Sequence, residues 1–374
     1  MTPQLVTDAE AMEEDGSQAG RYMSAFARAG TAAFIANAAS RPMLLRQDGH
    51  SLPLTVDDGG YGRSYVASPH SAYVLYAREE IEIVGMRHGR RLAGALLALL
   101  DRMLRGIDFN RAVHLDNWLL STNLHGDWDG ANLPAIRETL AGRFPEHFLI
   151  LRSLDQWSCP ALLNAAKNDG WILVPARQIW VVDDLARDWR PRHNHDNDRR
   201  ALARSGLLVE DLAHIDGADA VRIAELYRQL YIGRYSALNP VFTDRFVMLT
   251  AMTGLCHYRV AREASGRIMA VAGMFTRNGI MTPPVVGYDT ERPQQDALYR
   301  IASFMFSDWA LERGLALHGS AGAATFKRNR GAHGVIEYMA VHAGHLTSAR
   351  RHAVGLLAGL LERIMVPMMR RQGW

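Results

Sequence analysis

Cysteine is scarce in this chain, with only Cys159 and Cys256 among 374 residues. The pair matches no metal-ligand spacing and forms no framework, which excludes a disulfide-stapled scaffold and fits a reducing compartment. A surplus of one charge is also missing. The formal net charge is +3, too small for a protein built to grip nucleic acid or coat a membrane, so any cationic site has to be local. No uncharged apolar run approaches the roughly 18 residues needed to cross a bilayer. The opening MTPQLVTDAEAMEEDGSQAG is acidic and lacks the apolar centre of a signal peptide, so residues 1–20 read as a flexible N-terminal tail. These absences predict a cytoplasmic protein with no membrane or DNA partner and no metal.

What is present is an alternation of strand and helix patterns, clearest from Cys256 to Val341. HYRVARE and RIMAVAGMF read as strands around Ala264-Ser265-Gly266, and Asn278-Gly279 turns the chain into IMTPPVVGYD, because both turn residues tolerate positive φ. Pro283 and Pro284 predict an edge or a bulge in that third strand. A helix follows, with Leu298, Ile301, Ala302, Met305 and Trp309 on one face and Gly314 just past its end. LALHGS and GVIEYMAVH are two further strands on either side of a basic loop. The first half carries a fainter version. SAYVLYA and EIEIVGM suggest strands, RRLAGALLALLDRMLR a helix, RAVHL and FLILRSL strands around a helix at Leu133 to Arg143. ALLNAAKNDG is a helix and WILVPARQIWVVDD supplies two more strands. The fold class expected is α/β, in mixed α+β layers. A polar stretch from Arg187 to Asn197 divides it into residues 21–190 and 191–374, the latter ending on a helix from Ser348 to Arg370 whose apolar stripe suits packing or dimerisation. His193 and His195 in that stretch read as a solvated linker.

The β-β-β-α-β order of the second half resembles the core of the GCN5-related N-acyltransferase (GNAT) superfamily, and two such halves are similar to its tandem FemAB-type and BioF2-like members. The likeness is most specific in ALYRIASFMFSDWALERGLALHGSAGAATFKRNRGA. It implies two GNAT-like halves, each with a central, mostly antiparallel sheet flanked by helices, and acyl-CoA or acetyl-CoA as co-substrate. In that superfamily a glycine-rich helix start binds the cofactor pyrophosphate through unpaired N–H groups. Here the equivalent stretches are His88-Gly89-Arg90-Arg91-Leu92-Ala93 and Arg292-Pro293-Gln294-Gln295-Asp296-Ala297, and both lose the central glycine. The first keeps positive charge, whereas Asp296 in the second repels a phosphate.

The chemistry expected is acyl transfer to a small-molecule amine, which needs a deprotonated acceptor, a stabilised carbonyl oxygen and a protonated leaving group. Tyr288, Asp289 and Tyr338 are the candidate catalytic residues. Glu337 precedes Tyr338 on a strand, so only one of the two enters the cleft. Ser320, Gly322, Lys327, Arg328 and Arg330 form a candidate anion seat beside His88, Gly89, Arg90 and Arg91. Tyr235, Asn239, Ser121 and Asn123 are candidate acceptor-lining residues. Two alternatives stay open within the same fold, an aminoacyl-tRNA-dependent transferase and an idle pair of domains that binds a metabolite or protein. A monomer and a homodimer are equally compatible with the pattern.

Overall fold

The structure is a computed structural model that describes residues 2–83 and 90–372. Its first six strands are β1 (Gln4–Val6), β2 (Arg41–Gln47), β3 (His50–Asp58), β4 (Arg111–Leu115), β5 (Phe148–Asp155) and β6 (Ile172–Val182). The second six are β7 (Leu208–Leu212), β8 (His257–Arg262), β9 (Ile268–Arg277), β10 (Ile280–Tyr288), β11 (Ala316–His318) and β12 (His333–His342). All twelve join one mixed sheet in the order β1-β2-β3-β4-β5-β12-β6-β11-β10-β9-β8-β7.

Neighbours are antiparallel except at two joints, β4 with β5 and β10 with β11. These joints lie in equivalent places in the two halves. Between them the last strand of each half is exchanged. β12 pairs with β5 on one side and β6 on the other, while β6 in turn pairs with β11. The two halves are therefore stitched through the middle of the sheet.

The β10–β11 joint is short. Its ladder holds only Ile280 against Ala316 and Met281 against Leu317, and then the strands part. A register shift between Thr282 and Val285 bends β10 at Pro283 and Pro284, where proline withholds the ladder N–H. Helix Gly217–Tyr231 presses on β10 beyond the bend, where Gly287 lets its backbone approach.

β5 is buried at every position, so its apolar residues run continuously instead of alternating. Leu149 and Leu151 face a core with helices Leu133–Arg143 and Pro160–Asn168, whereas Phe148 and Ile150 face helices Arg90–Gly106 and Ser348–Gln372.

The strand pattern differs from expectation in the first half. Ser71–Leu75 and Tyr76–Ile83 are helical, not the two strands that SAYVLYA and EIEIVGM suggest. The strands in that place are β2 and β3, joined by Asp48 and Gly49 at positive φ. The stretch Ile172–Val182 is one long strand despite Pro175. Residues 2–20, expected as a flexible tail, are tied to the fold. Gln4–Val6 pairs with β2, and Met12 and Ala19 are buried in the core. The segment read as a solvated linker is a helix, His193–Ser205, with Asp198 buried inside it.

Candidate functional site

The strand exchange brings polar side chains into the centre of the molecule. Register sets Glu337 of β12 beside Asp155 of β5 and Arg177 of β6. Arg177 grips Glu337 with two hydrogen bonds, Nε to Oε1 at 2.8 Å and Nη2 to Oε2 at 3.0 Å. The same Nη2 donates to the Ser121 carbonyl at 2.7 Å and to Thr122 Oγ1 at 3.0 Å. Burial works against the Arg177 charge, but Glu337 outweighs it and holds the guanidinium protonated.

Arg152 of β5 lies beside this pair and is buried. Its Nη1 donates to the carbonyls of Val66 and Leu120 and to Asn117 Oδ1, at 3.2–3.3 Å. Burial, reinforced by the nearby Arg177 charge, pulls it down to about 10.

From this pair the network reaches the basic loop. Thr122 Oγ1 donates to Ser320 Oγ at 3.3 Å, across the two halves. Ser320, Gly322 and Ala323 all have positive φ, a tight wrap that turns the loop carbonyls inward. Lys327, on the short helix Ala324–Arg328, donates from Nζ to the carbonyls of Ala321 at 2.7 Å and Ser320 at 3.3 Å. Burial, then repulsion from Arg177, lowers its ammonium to about 7. His318, at the end of β11, is buried and accepts the Ser320 N–H on Nδ1 at 3.2 Å, while its Nε2 has no protein partner. Burial lowers its pKa against the pull of Asp155 and Glu337.

Phenols surround the approach. Burial raises Tyr231, and Tyr299, Tyr235, Tyr65 and Tyr76 stand near enough to raise it further. The ring of Tyr299 lies 6.0 Å from Tyr288 and 4.8 Å from Phe326, which precedes Lys327. Tyr65 and Tyr76 come from the first half and Tyr231, Tyr235 and Tyr299 from the second, so the aromatic wall spans both.

The expected anion seat does not converge. Lys327 turns inward to carbonyl oxygens. Arg328 is exposed, 3.3 Å from Thr325 Oγ1 and over the Trp180 ring. Arg330 is bound to the buried carboxylate of Asp198, at 2.6 Å from Nη2, and Arg300 takes the other oxygen at 2.7 Å. Gly322 is exposed at the loop tip. Lys327 and Arg328 leave the short helix in different directions, and Arg330 lies in the turn beyond it.

Other expected positions divide similarly. His88 and Gly89 lie outside the described residues; Arg90 opens helix Arg90–Gly106, and Arg91 is exposed on it. In the second half Asp296 binds Arg292 at 2.9 Å just before helix Leu298–Glu312, so a carboxylate already occupies the place of a phosphate. Asp289 is buried and bound to Arg222 at 2.7 Å and Arg267 at 3.1 Å, a structural role that leaves no free base. Tyr288 accepts a hydrogen bond from Arg234 at 3.0 Å, and Tyr235 is exposed near it. Glu337 enters the centre, whereas Tyr338, past a register shift in β12, is faced by Glu362 and Arg370 of the last helix. Asn239 and Asn123 hold loops. Asn239 donates to the carbonyls of Tyr231 and Ser236, and Asn123 accepts from the Trp118 N–H. Ser121 reaches the site through its carbonyl.

Sequence reasoning missed Arg152 and Arg177. The available signal was an arginine inside each of two apolar strand runs, LILRSL and VPARQIW, since a charge there requires a buried partner.

Concavities are modest. A cavity of about 40 Å³ beside Lys327, between Trp180, Tyr299, Ser303 and Phe326, has room for a water or two. A larger one of about 270 Å³ lies across the second half at the β7 edge. Its carboxylates Asp211 and Glu312 are already bound to Arg259, so it is a salt-bridged groove remote from the central network. Among the described residues no group of three His, Cys, Asp or Glu side chains is placed to hold a metal.

No protein-family model and no curated protein matches the chain. Among solved structures it is similar to FemX, at 9% identity and a TM-score of 0.45, over 91% of this chain and 97% of that one. A tandem GNAT protein from the clavulanic acid biosynthesis pathway matches at 13% identity and 0.37, over 92% and 99%. L-PGS from Bacillus licheniformis matches at 14% and 0.46, over 61% and 79%. The likeness is one of fold and says nothing of substrate.

Proposed function

We propose that this chain is an N-acyltransferase that moves an acyl group from a thioester to an amine at the junction of its halves. The observation that carries the reading is Lys327. Its Nζ turns inward to the loop carbonyls, and burial, then Arg177, lowers the ammonium to about 7, so a neutral fraction is present at neutral pH. A neutral lysine keeps two N–H donors, and the carbonyls of Ser320 and Ala321 take both. Its lone pair is then free to accept the proton that a neutral acceptor amine sheds as it attacks the thioester carbonyl. The new C–N bond forms as the C–S bond breaks, and the proton leaves through Lys327 to the departing thiolate. Burial, and then Arg177 fixed by Glu337, favour the neutral form of Lys327. The phenols of Tyr235, Tyr288 and Tyr299 wall the entrance for the acceptor. The helix start at Asp296 does not suit a pyrophosphate, so an acyl-CoA donor enters from the first half, at the start of helix Arg90–Gly106, where Arg91 is exposed.

The test is thiol release from acetyl-CoA and longer acyl-CoAs with a panel of amines. The expected kcat/KM rises with pH through an apparent pKa near 7. Lys327→Met and Lys327→Arg both lower kcat by at least about 100-fold, since an arginine keeps the charge but cannot take the proton. An active Lys327→Arg enzyme removes the base assignment. Turnover with aminoacyl-tRNA in place of acyl-CoA transfers the donor role, and turnover with neither ends the transferase reading.

A further inference from the structure

Beyond the helix start at Arg90 and Arg91, the outward side of helices Arg90–Gly106 and Ser348–Gln372 carries a surface that the acyl-transfer chemistry does not use. Both helices lie on the same face of the sheet and share one core, Leu97, Leu100 and Leu104 from the first meeting Val354, Leu357 and Leu361 from the second. Their outer sides therefore look away from the sheet together. On the longer helix Leu356, Leu360, Ile364 and Met368 follow each other at four-residue intervals, a stripe about 18 Å long. Leu356 is 67% exposed, and Ile364 and Met368 are exposed too. On the shorter helix Leu92 is 77% and Leu99 62% exposed. Leu360 is half-buried against that core, whereas Leu356, Ile364, Met368, Leu92 and Leu99 are exposed outside it. Five of the twelve exposed large hydrophobic residues described in the molecule sit on these two helices.

Charge accompanies the apolar stripe. The two helices hold nine arginines against Asp101 and Glu362, a surplus of +7 in a chain whose total is +3. The remainder of the chain is therefore net negative. Arg102, Arg351, Arg363, Arg370 and Arg371 are exposed, and none has an ion-pair partner among the described residues. The small overall charge hides this polarity.

We propose that this two-helix face docks on the surface of a bilayer containing anionic lipid, the leucines entering the headgroup boundary and the arginines meeting lipid phosphates. An exposed apolar stripe ringed by cations is the pattern of an interfacial helix. A second copy of this chain would bring one +7 surface against another, and like charge opposes that contact. The acidic remainder of the molecule is repelled by the same lipid surface, which fixes the orientation. The longer helix meets the length and hydropathy of a membrane span, but a third of its apolar window is buried and it packs along the sheet, so it lies on the bilayer and does not cross it.

Flotation of the full chain with phosphatidylcholine vesicles, with and without phosphatidylglycerol, tests this. The protein is expected to float with the phosphatidylglycerol vesicles only, and to be released by high salt. Leu99→Glu/Leu356→Glu and Arg102→Gln/Arg351→Gln/Arg363→Gln are each expected to weaken binding by at least about tenfold, with circular dichroism unchanged because every position is exposed. The proposal is overturned if the wild type stays unbound at low salt, or if neither variant alters flotation. It is overturned equally if sedimentation shows a dimer that Leu99→Glu/Leu356→Glu dissociates, which would assign the face to a second copy.

Discussion

Lys327 shows how far one residue's behaviour depends on its surroundings. Its sequence context, FKRNR, reads as a solvated cationic run. The fold instead folds it back on its own loop, next to a guanidinium, and lowers its pKa from the ordinary lysine value of 10.5 to about 7. Between those values the unfolded chain holds a proton that the folded chain lacks, so this group makes stability rise with pH from about 7 to about 10.5. Lys327→Met removes that slope. The variant's melting temperature relative to wild type is expected to be most favourable at pH 7 or below and to fall towards pH 10, as read by circular dichroism at the two pH values. A constant difference between variant and wild type would mean that the amine titrates like an exposed lysine. Arg330 makes the complementary point. It looks equally available in sequence, yet it is bound to Asp198, 132 residues away in the chain.

At the scale of elements, the joint between β10 and β11 depends on small residues and proline. A Cβ on Gly287 would lie 2.5 Å from the backbone of Leu226, so helix Gly217–Tyr231 can seat on β10 only over a glycine. Gly287→Ala is expected to cost about 1–3 kcal/mol in urea unfolding and to lower turnover, because the helix that carries Tyr231 must lift. Most elements of the second half were legible in sequence. Asn278-Gly279 does turn β9 into β10, Pro283 and Pro284 do mark a bulge, and the stripe from Leu298 to Trp309 is a helix against the sheet. The first half was less legible. Ser71–Ile83 has the apolar and aromatic residues of strands, but no neighbouring strand is available to pair with it, and local backbone bonds make it helical instead. β7 escaped notice because four of its five residues are exposed and its sequence, LVEDL, has no buried face to announce it.

At the scale of the whole molecule, the exchange of β6 and β12 makes two halves of similar order into one cooperative unit. A fragment of residues 1–190 would leave β6 without both β12 and β11, and β5 without β12. Such a fragment is expected to show no cooperative melting and no near-ultraviolet dichroism, and adding residues 191–374 in trans is expected to restore both. Independent folding of the fragment would show that the halves need no exchange. The same crossing assembles the candidate site, since Arg177 comes from β6, Glu337 from β12, Thr122 from the first half and Lys327 from the second. The two-helix face also exists only at this scale, as Leu99 and Leu356 lie on helices far apart in sequence that one core sets side by side.

By itself the sequence determined local features, chiefly of the second half: where the β9–β10 hairpin turns, where proline bends a strand, where the stripe from Leu298 to Trp309 forms a helix, and the α/β layering. Those properties follow from interactions within a few residues, which spacing and residue type record directly. Only the tertiary structure decided which cations are free and which are bound, that Glu337 and not Tyr338 reaches the centre, and that the halves trade strands. Most of those outcomes rest on a partner more than a hundred residues away, or on which face of a strand is buried. Neither is written in the neighbourhood of the residue itself.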